Sequence, residues 1–459
     1  MIHMTLLELA THLGVTESHP EVTFTGVSTD TRTIQPGNLF VAIVGEQFDG
    51  HQFVETAFQK GAAALLVSQP INPDIPHILV NDTVDALGKM SSLWRNYFSL
   101  PIIGVTGSNG KTTLKNMIAS ILQAACHGDA SQVLATKGNL NNYIGLPLTL
   151  LELNANHRYG VVEMGMNHLG EIAYLTQLAK PHIAVITNAA ESHLEGLNDV
   201  AGVARAKGEI FLGLPKNGIA ILNRDDVFFD YWRELDTEHR YWTFGLNHPA
   251  DISAIIIDHQ ATHQMITLLT PVGKMDVKLP LLGTHNVMNA LAATAATLAL
   301  NLDLMAIKTG LENMHPAPGR LNQHVLPTGV RIIDDTYNAN PFSLNAAIHA
   351  LSVFQGKKIL VLGDMKELGP HAKDMHAAAG KSALSAGIDY LFTFGELSAA
   401  ATESFGKNAQ HFTDRDKLLQ ALLPLLQSGN TVLIKGSRSM KMEKVVAQLV
   451  PSEHLSQTH

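Results

Sequence analysis

Two glycines, a lysine and a threonine at short intervals after an apolar run are the residues of this chain best suited to holding phosphate. Ile102 to Thr106 read as a buried parallel strand and Gly107-Ser108-Asn109-Gly110 as a turn; Lys111-Thr112-Thr113 open a helix whose Leu114, Met117, Ile118, Ile121, Leu122 and Ala125 recur at helical spacing. The glycines let the backbone approach an anion, and amides at the helix start point toward it. Lys111 brings charge, and Thr112 can hold a phosphate-bound cation. The run departs from the strict phosphate-loop spacing, since Val105 stands five residues before Gly110 and the extra glycine is Gly104. The competing reading is a plain strand-to-helix turn.

Other polar residues fall where this chemistry needs them. Glu163 ends the apolar run Val161-Val162, and His193 follows Ile183 to Thr187. Both side chains are expected at the phosphate-loop edge of a parallel sheet, as oxygen and imidazole ligands for magnesium or manganese; a solvated strand-end carboxylate is the alternative. Lys207 shares the apolar stripe of Val203, Phe211 and Leu214. It reads either as a snorkelling side chain or as a lysine of lowered pKa able to carry a carbamate that binds metal. Asn286 and Asn289, one turn apart after a cap expected at Thr284, suit either a purine base or the helix start. Arg320, after Pro318-Gly319, reads as a phosphate contact from a neighbouring domain or as a solvated linker residue.

The elements that must position these residues alternate between strand and helix. At 459 residues, with 46% hydrophobic and 16% charged residues, the chain is expected to form two or three soluble domains. Short apolar runs up to about residue 82 give a small α/β unit. A helix capped by Asp82 or Thr83 and carrying Val84, Leu87, Met90, Trp94 and Tyr97 connects it to a second unit. From about residue 100 the runs at 102–106, 161–163, 183–187 and 219–222 predict a parallel sheet covered by helices. A third α/β unit starts near His315-Pro316-Ala317-Pro318-Gly319, with strands at 332–334, 359–362, 390–394 and 432–434. The expected division is 1–83, 84–314 and 315–459.

A formal net charge of -9 argues against nucleic acid or an anionic membrane surface as partner. The lone Cys126 cannot form an internal disulfide, which suits a reducing compartment and a buried thiol. No signal-like start or membrane span is expected, so the location expected is cytoplasmic.

Taken together these residues resemble the Mur ligase family, the ATP-dependent amide-forming enzymes of peptidoglycan precursor synthesis. Gly107 to Thr112 looks like that family's own phosphate loop. Thr136-KGNLNNYIGLP-Leu148, Glu163-MGMNHLGE-Ile172, Asp334-DTYNANP-Phe342, Val361-LGDMKELG-Pro370 and Lys435-GSRSMKME-Lys444 look like the member that adds D-alanyl-D-alanine to UDP-N-acetylmuramoyl-tripeptide. Ser28-Thr29-Asp30-Thr31-Arg32 and Phe48-Asp49-Gly50-His51-Gln52-Phe53 are similar to its uridine-diphosphate-sugar domain.

The resemblance implies an N-terminal domain for the UDP-muramyl substrate, a central phosphate-loop ATPase and a C-terminal Rossmann-like domain. It implies ATP and two magnesium sites, and the expected enzyme is monomeric. Gly107, Ser108, Asn109, Gly110, Lys111, Thr112 and Thr113 would hold the ATP phosphates, with Asn286 and Asn289 at adenine, Arg320 at phosphate and Asp335 near the ribose or phosphates. Thr112, Glu163, His193 and a carbamylated Lys207 would serve metal, with Lys111, Glu163, His193 and Lys207 as the catalytic set. Ser28, Arg32, Asp49, His51, Asn139, Asn142, Asn338 and Asn340 would meet the other substrates. The rivals are another ligase of the superfamily, adding a diamino acid or extending folate with glutamate, and a phosphate-loop ATPase that makes no bond.

Overall fold

The computed structural model describes residues 1–16, 21–45, 48–260 and 262–451. A parallel sheet of Val27–Ser28, Leu39–Val41, Ala64–Val67 and His77–Leu79 runs in chain order, beside the antiparallel pair His3–Thr5 and Thr23–Thr25. Its core gathers Ile2, Leu6, Leu9, Phe24, Leu39, Leu66 and Ile78.

The helix Thr83–Arg95 starts where Asp82 accepts the amides of Val84 and Asp85, and it gives Leu87 and Met90 to that first core. Its other side lies on the next unit. A Cβ on Gly88 would overlap the Tyr174 hydroxyl, Trp94 Nε1 donates to the Leu153 carbonyl at 3.0 Å, and Arg95 Nε donates to the Ala179 carbonyl at 2.9 Å. Glycine in mid-helix costs about 1 kcal/mol relative to alanine, so its use here is the close approach it permits.

The central sheet is entirely parallel, in the spatial order Arg240–Phe244, Ile219–Asn223, Ile183–Ile186, Ile102–Thr106, Tyr159–Glu163, Val133–Ala135. Chain direction across the sheet reverses beside Ile102–Thr106, whose carboxyl end therefore opens the crevice where such sheets bind ligands. The helix Lys111–Ala125 covers one face with Thr284–Leu298 and Leu304–Glu312, sharing a core of Val105, Leu114, Met117, Ile121, Val287 and Leu291. Glu171–Ala179 and Val200–Gly208 cover the other face. Cys126 is buried.

Between the last parallel strand and Thr284–Leu298 the chain makes an antiparallel meander, Ser253–His259, Gln264–Thr270 and Gly273–Leu279. The sequence reading did not include it. Ile266, Leu268, Val277 and Leu279 alternate inward and join the core of the phosphate-loop helix.

The third unit is a six-stranded sheet in the order Asn322–Val325, Arg331–Asp335, Thr431–Lys435, Lys358–Gly363, Tyr390–Phe394, Ala409–Phe412, parallel except for its first strand. The architecture is three α/β units, as the alternating pattern implied.

Candidate active site

The turn after Ile102–Thr106 has the backbone that its glycines allow. Gly107 has φ 147° and Gly110 φ 84°, and a Cβ on the first would overlap Thr187 Oγ1, while one on the second would press on Asn289 Oδ1. Gly104, the glycine out of step with the strict motif, lies under Met164 and Pro181 and serves packing. Asn188 braces the loop by accepting the Ser108 amide on its carbonyl and the Asn109 amide on Oδ1. The amides of Lys111 to Thr113 have no carbonyl within their own helix. Lys111 Nζ donates to Gly107 O at 2.7 Å, and burial holds its ammonium below the usual lysine range, against the pull of Glu163.

Two cavities meet at this loop. The first, of about 280 Å³, lies between the central and third sheets; Gly110, Asn188, Asp225, Asn286, Asn289 and Phe342 are among the residues around it. Asn286 Nδ2 donates to Leu282 O at 2.7 Å and Asn289 Nδ2 to Asn286 Oδ1 at 3.2 Å. The pair thus both finishes a helix start and lines the cavity. Gly283, at φ 85°, occupies the cap position expected for Thr284, which is instead the first residue of the helix. His285 also faces this cavity, and burial pushes it down to about 4, with Asp335 opposing the shift and Lys435 adding to it. Asp335 Oδ2 accepts from Lys435 Nζ at 2.6 Å, so its charge is matched.

The second cavity, of about 390 Å³, is the more polar, and Lys111, Thr112, Glu163, His193, Arg320 and Asn340 are among its walls. Glu163 is 2% exposed; Oε1 accepts from Asn141 Nδ2 at 2.7 Å, its amide donates to Thr136 Oγ1 at 2.9 Å, and Oε2 is buried with no hydrogen-bond partner. A buried, unpartnered carboxylate oxygen beside a threonine and an imidazole is a hard-donor set that fits a divalent cation. No group of three or more His, Cys, Asp or Glu is clustered for metal among the described residues, so other ligands must complete such a site. His193 sits at φ 55°, and its Nδ1 is 3.1 Å from Glu367 Oε2 of the third unit.

Lys207 is 2% exposed and among the described residues has no hydrogen-bond or ion-pair partner, which removes the snorkelling alternative. Burial holds its pKa well below the lysine range, Lys111 adds to this and Asp226 opposes it. It lines neither cavity. Arg320 is not a solvated linker residue: its guanidinium stacks 4.1 Å over Tyr337 and reaches Thr112 Oγ1 at 3.4 Å, with Nε buried and unpartnered. From the third unit, Asn340 caps the helix Pro341–Ser352 and donates Nδ2 to Asn109 Oδ1 at 2.9 Å. Asn338 lines the cavity while its carbonyl accepts from Lys435.

Asn142 lines the second cavity and its Oδ1 accepts the Gly145 amide at 2.9 Å, whereas Asn139 is exposed and lines neither. Ser28, Arg32, Asp49 and His51 lie on the first unit, outside both cavities. Arg32 forks onto Asp30 with its side chain 87% exposed, and Ser28 Oγ donates to the Asp30 carbonyl. His51 is committed at both nitrogens, Nδ1 to Asp49 at 2.6 Å and Nε2 to the Ser68 amide at 2.9 Å. Sequence reasoning did not single out Asn141, Tyr337, His285 or Glu367. Asn141, Tyr337 and Glu367 stand inside segments that carry the family resemblance, a signal available but not used.

A phosphate loop at a sheet's switch point, under a cleft roofed by a second α/β sheet, defines a nucleotide-dependent α/β enzyme of several domains. Residues 105–297 match the Mur ligase middle domain, 319–438 the Mur ligase glutamate ligase domain and 23–94 the Mur ligase family catalytic domain. The UDP-N-acetylmuramoyl-tripeptide--D-alanyl-D-alanine ligase of Escherichia coli is 42% identical, with 98% of this chain and 99% of the relative covered; its Bacillus subtilis namesake is 38% identical over 98% and 99%. A crystal structure of MurF from Acinetobacter baumannii superposes with a TM-score of 0.91 at 35% identity, over 98% of this chain and 99% of the other. A Thermotoga maritima MurF ligase in complex with ADP does so at 0.82 and 28%, over 95% and 99%. The chain belongs to the Mur ligase family.

Proposed function

We propose that this enzyme uses ATP to join D-alanyl-D-alanine to the terminal carboxylate of UDP-N-acetylmuramoyl-tripeptide, through an acyl phosphate. The single observation carrying this reading is the pair of cavities that meet at one phosphate loop, one suited to a nucleotide and the other polar and wide enough for an acid and its acceptor. Relatives bearing the corresponding name along nearly the whole chain support it.

The difficulty of the reaction is electrostatic. A carboxylate approaching a triphosphate at about 4 Å is repelled by roughly 4 kcal/mol per charge pair at an effective dielectric near 20. Lys111 and Arg320 flank the loop and bring two positive charges to that approach. Magnesium bound by Glu163, His193 and Thr112, and by Lys207 as a carbamate, would supply further positive charge to the phosphoryl oxygens. Asn340 and Glu367 bring the third unit over the loop, excluding water that would hydrolyse the activated acid. The carboxylate oxygen takes the γ-phosphoryl group as the bond to ADP breaks, and the amine of the dipeptide then attacks the acyl carbon, losing a proton and expelling phosphate. Asn286 and Asn289 would hold the base, and Asp335 the ribose end. Ser28, Arg32, Asp49 and His51 belong, on this reading, to the uridine end of the substrate. Among the described residues no helix is long and apolar enough to cross a membrane. The reading makes the enzyme a cytoplasmic one working on water-soluble, UDP-linked precursors.

Phosphate release measured with ATP, magnesium, UDP-muramyl-tripeptide and D-alanyl-D-alanine, omitting one component at a time, tests the assignment. Release only in the complete mixture is expected. Release from ATP alone would make the chain a simple ATPase, and preference for a diamino acid or glutamate acceptor would move it elsewhere in the family.

A further inference from the structure

His193 is held from two different units. Its backbone belongs to the central one, where Ser192 Oγ donates to Ser108 Oγ of the phosphate loop at 3.0 Å, and it caps the short helix Leu194–Leu197 at φ 55°. Its ring meets the third unit: Nδ1 lies 3.1 Å from Glu367 Oε2, and Nε2 has no partner among the described residues. Glu367 too has a left-handed backbone, φ 64°, which residues other than glycine seldom adopt. The chain on either side of it is fixed, since the Lys366 amide donates to Ser437 Oγ at 2.8 Å and Leu368 is buried in the third unit's core. A braced carboxylate thus reaches across the cleft to one nitrogen of an imidazole whose other nitrogen is uncommitted.

That contact decides the tautomer. At 3.1 Å from a carboxylate oxygen Nδ1 must carry the proton, because a lone pair there would face the lone pairs of the oxygen. A neutral ring then keeps its free lone pair on Nε2. His193 and Glu163 line the same cavity, and Glu163 Oε2 is likewise without a partner.

We propose that Glu367 is a positioning residue, which reaches from the third unit to fix the ring and tautomer of His193 so that Nε2 serves the divalent cation beside Glu163. The inference rests on the function proposed above and adds to it a group outside the cation's own ligands. A carboxylate that accepts from the far nitrogen of a ligating histidine raises the basicity of the near one and holds the ring still. Here carboxylate and imidazole come from different units, so cation binding and the closed cleft favour each other to the same degree.

The test follows Mn2+ binding to the whole chain with ADP by electron paramagnetic resonance, and records the pulsed signal of imidazole nitrogen coupled to the metal. Wild type, His193→Ala, Glu367→Ala and Glu367→Gln are compared, with circular dichroism to confirm the fold of each. Wild type should show the nitrogen signal and His193→Ala should lose it. Glu367→Ala should bind this Mn2+ about tenfold or more weakly and lose most of the signal. Glu367→Gln, whose amide oxygen still accepts from Nδ1–H, should recover much of both. Unchanged affinity and signal in Glu367→Ala overturns the positioning role. So does weaker affinity with the nitrogen signal intact, which would make Glu367 act through its charge alone, and so does a glutamine variant no better than alanine. A wild type without the nitrogen signal overturns it at His193 itself. None of these arms contains dipeptide or UDP-linked acid, so a wild type that meets every expectation here yet makes no product supports the positioning and overturns only the ligase reading.

Discussion

Lys207 is a buried amine with no hydrogen-bond or ion-pair partner among the described residues, an arrangement costly for an ammonium and favourable for a neutral, nucleophilic nitrogen. If it carries carbamate, Lys207→Ala should lose at least about 100-fold in turnover, in line with removal of a metal ligand or its support, and short carboxylic acids should restore part of it. Unchanged turnover in the variant would refute the role. His285 gives a pH prediction. Its pKa falls from 6.5 to about 4 on folding, so between those values the unfolded chain binds the extra proton. Stability is therefore full above about pH 6.5 and falls as pH drops toward 4, by up to about 3 kcal/mol at 1.36 kcal/mol per unit. Urea unfolding of His285→Gln at pH 7.5 and pH 5 should show a smaller loss than wild type; an equal loss would remove His285 as a source.

At the scale of elements, the loop works because two glycines hold positive φ under tight neighbours. Gly110→Ala should keep the fold by circular dichroism yet weaken nucleotide binding roughly tenfold or more, since a left-handed alanine costs about 1–2 kcal/mol and its Cβ displaces Asn289. Wild-type affinity in a fluorescent-nucleotide titration would contradict this. Most of the strands and helices that carry the site were legible, because a continuous apolar run marks a strand buried on both faces and a period of 3.6 marks the covered side of a helix, as in Ile102–Thr106 and Lys111–Ala125. The meander Ser253–Leu279 was not read, its alternation lying between two stronger signals. Side-chain partners across long separations were also hidden. Nothing local in Asn141 announces Glu163, and Glu367 meets His193 only because two sheets face each other.

Across the whole molecule, three polar contacts close the third unit over the loop, Asn340 on Asn109, Arg320 on Thr112 and Glu367 on His193, beside Leu282, which joins the third unit's apolar core. Polar interfaces of this kind permit hinge motion. Removing two of them in Asn340→Ala/Glu367→Ala should raise the radius of gyration in small-angle scattering without nucleotide, and a nucleotide with both other substrates should contract it again. An unchanged radius would mean that these bonds do not hold the cleft shut.

The opposite holds on the other side, where Gly88 nests on Tyr174 while Trp94 and Arg95 grip the Leu153 and Ala179 carbonyls. That joint ties the first sheet to the unit that carries the phosphate loop through buried contacts. On the proposed function such a joint would act as a calliper, favouring chemistry when the acid at one jaw is the correct length from the anchor at the other. UDP-muramyl peptides of two, three and four residues should consequently differ more in kcat than in binding, with three the best; equal rates along that ladder would show the jaws to be slack.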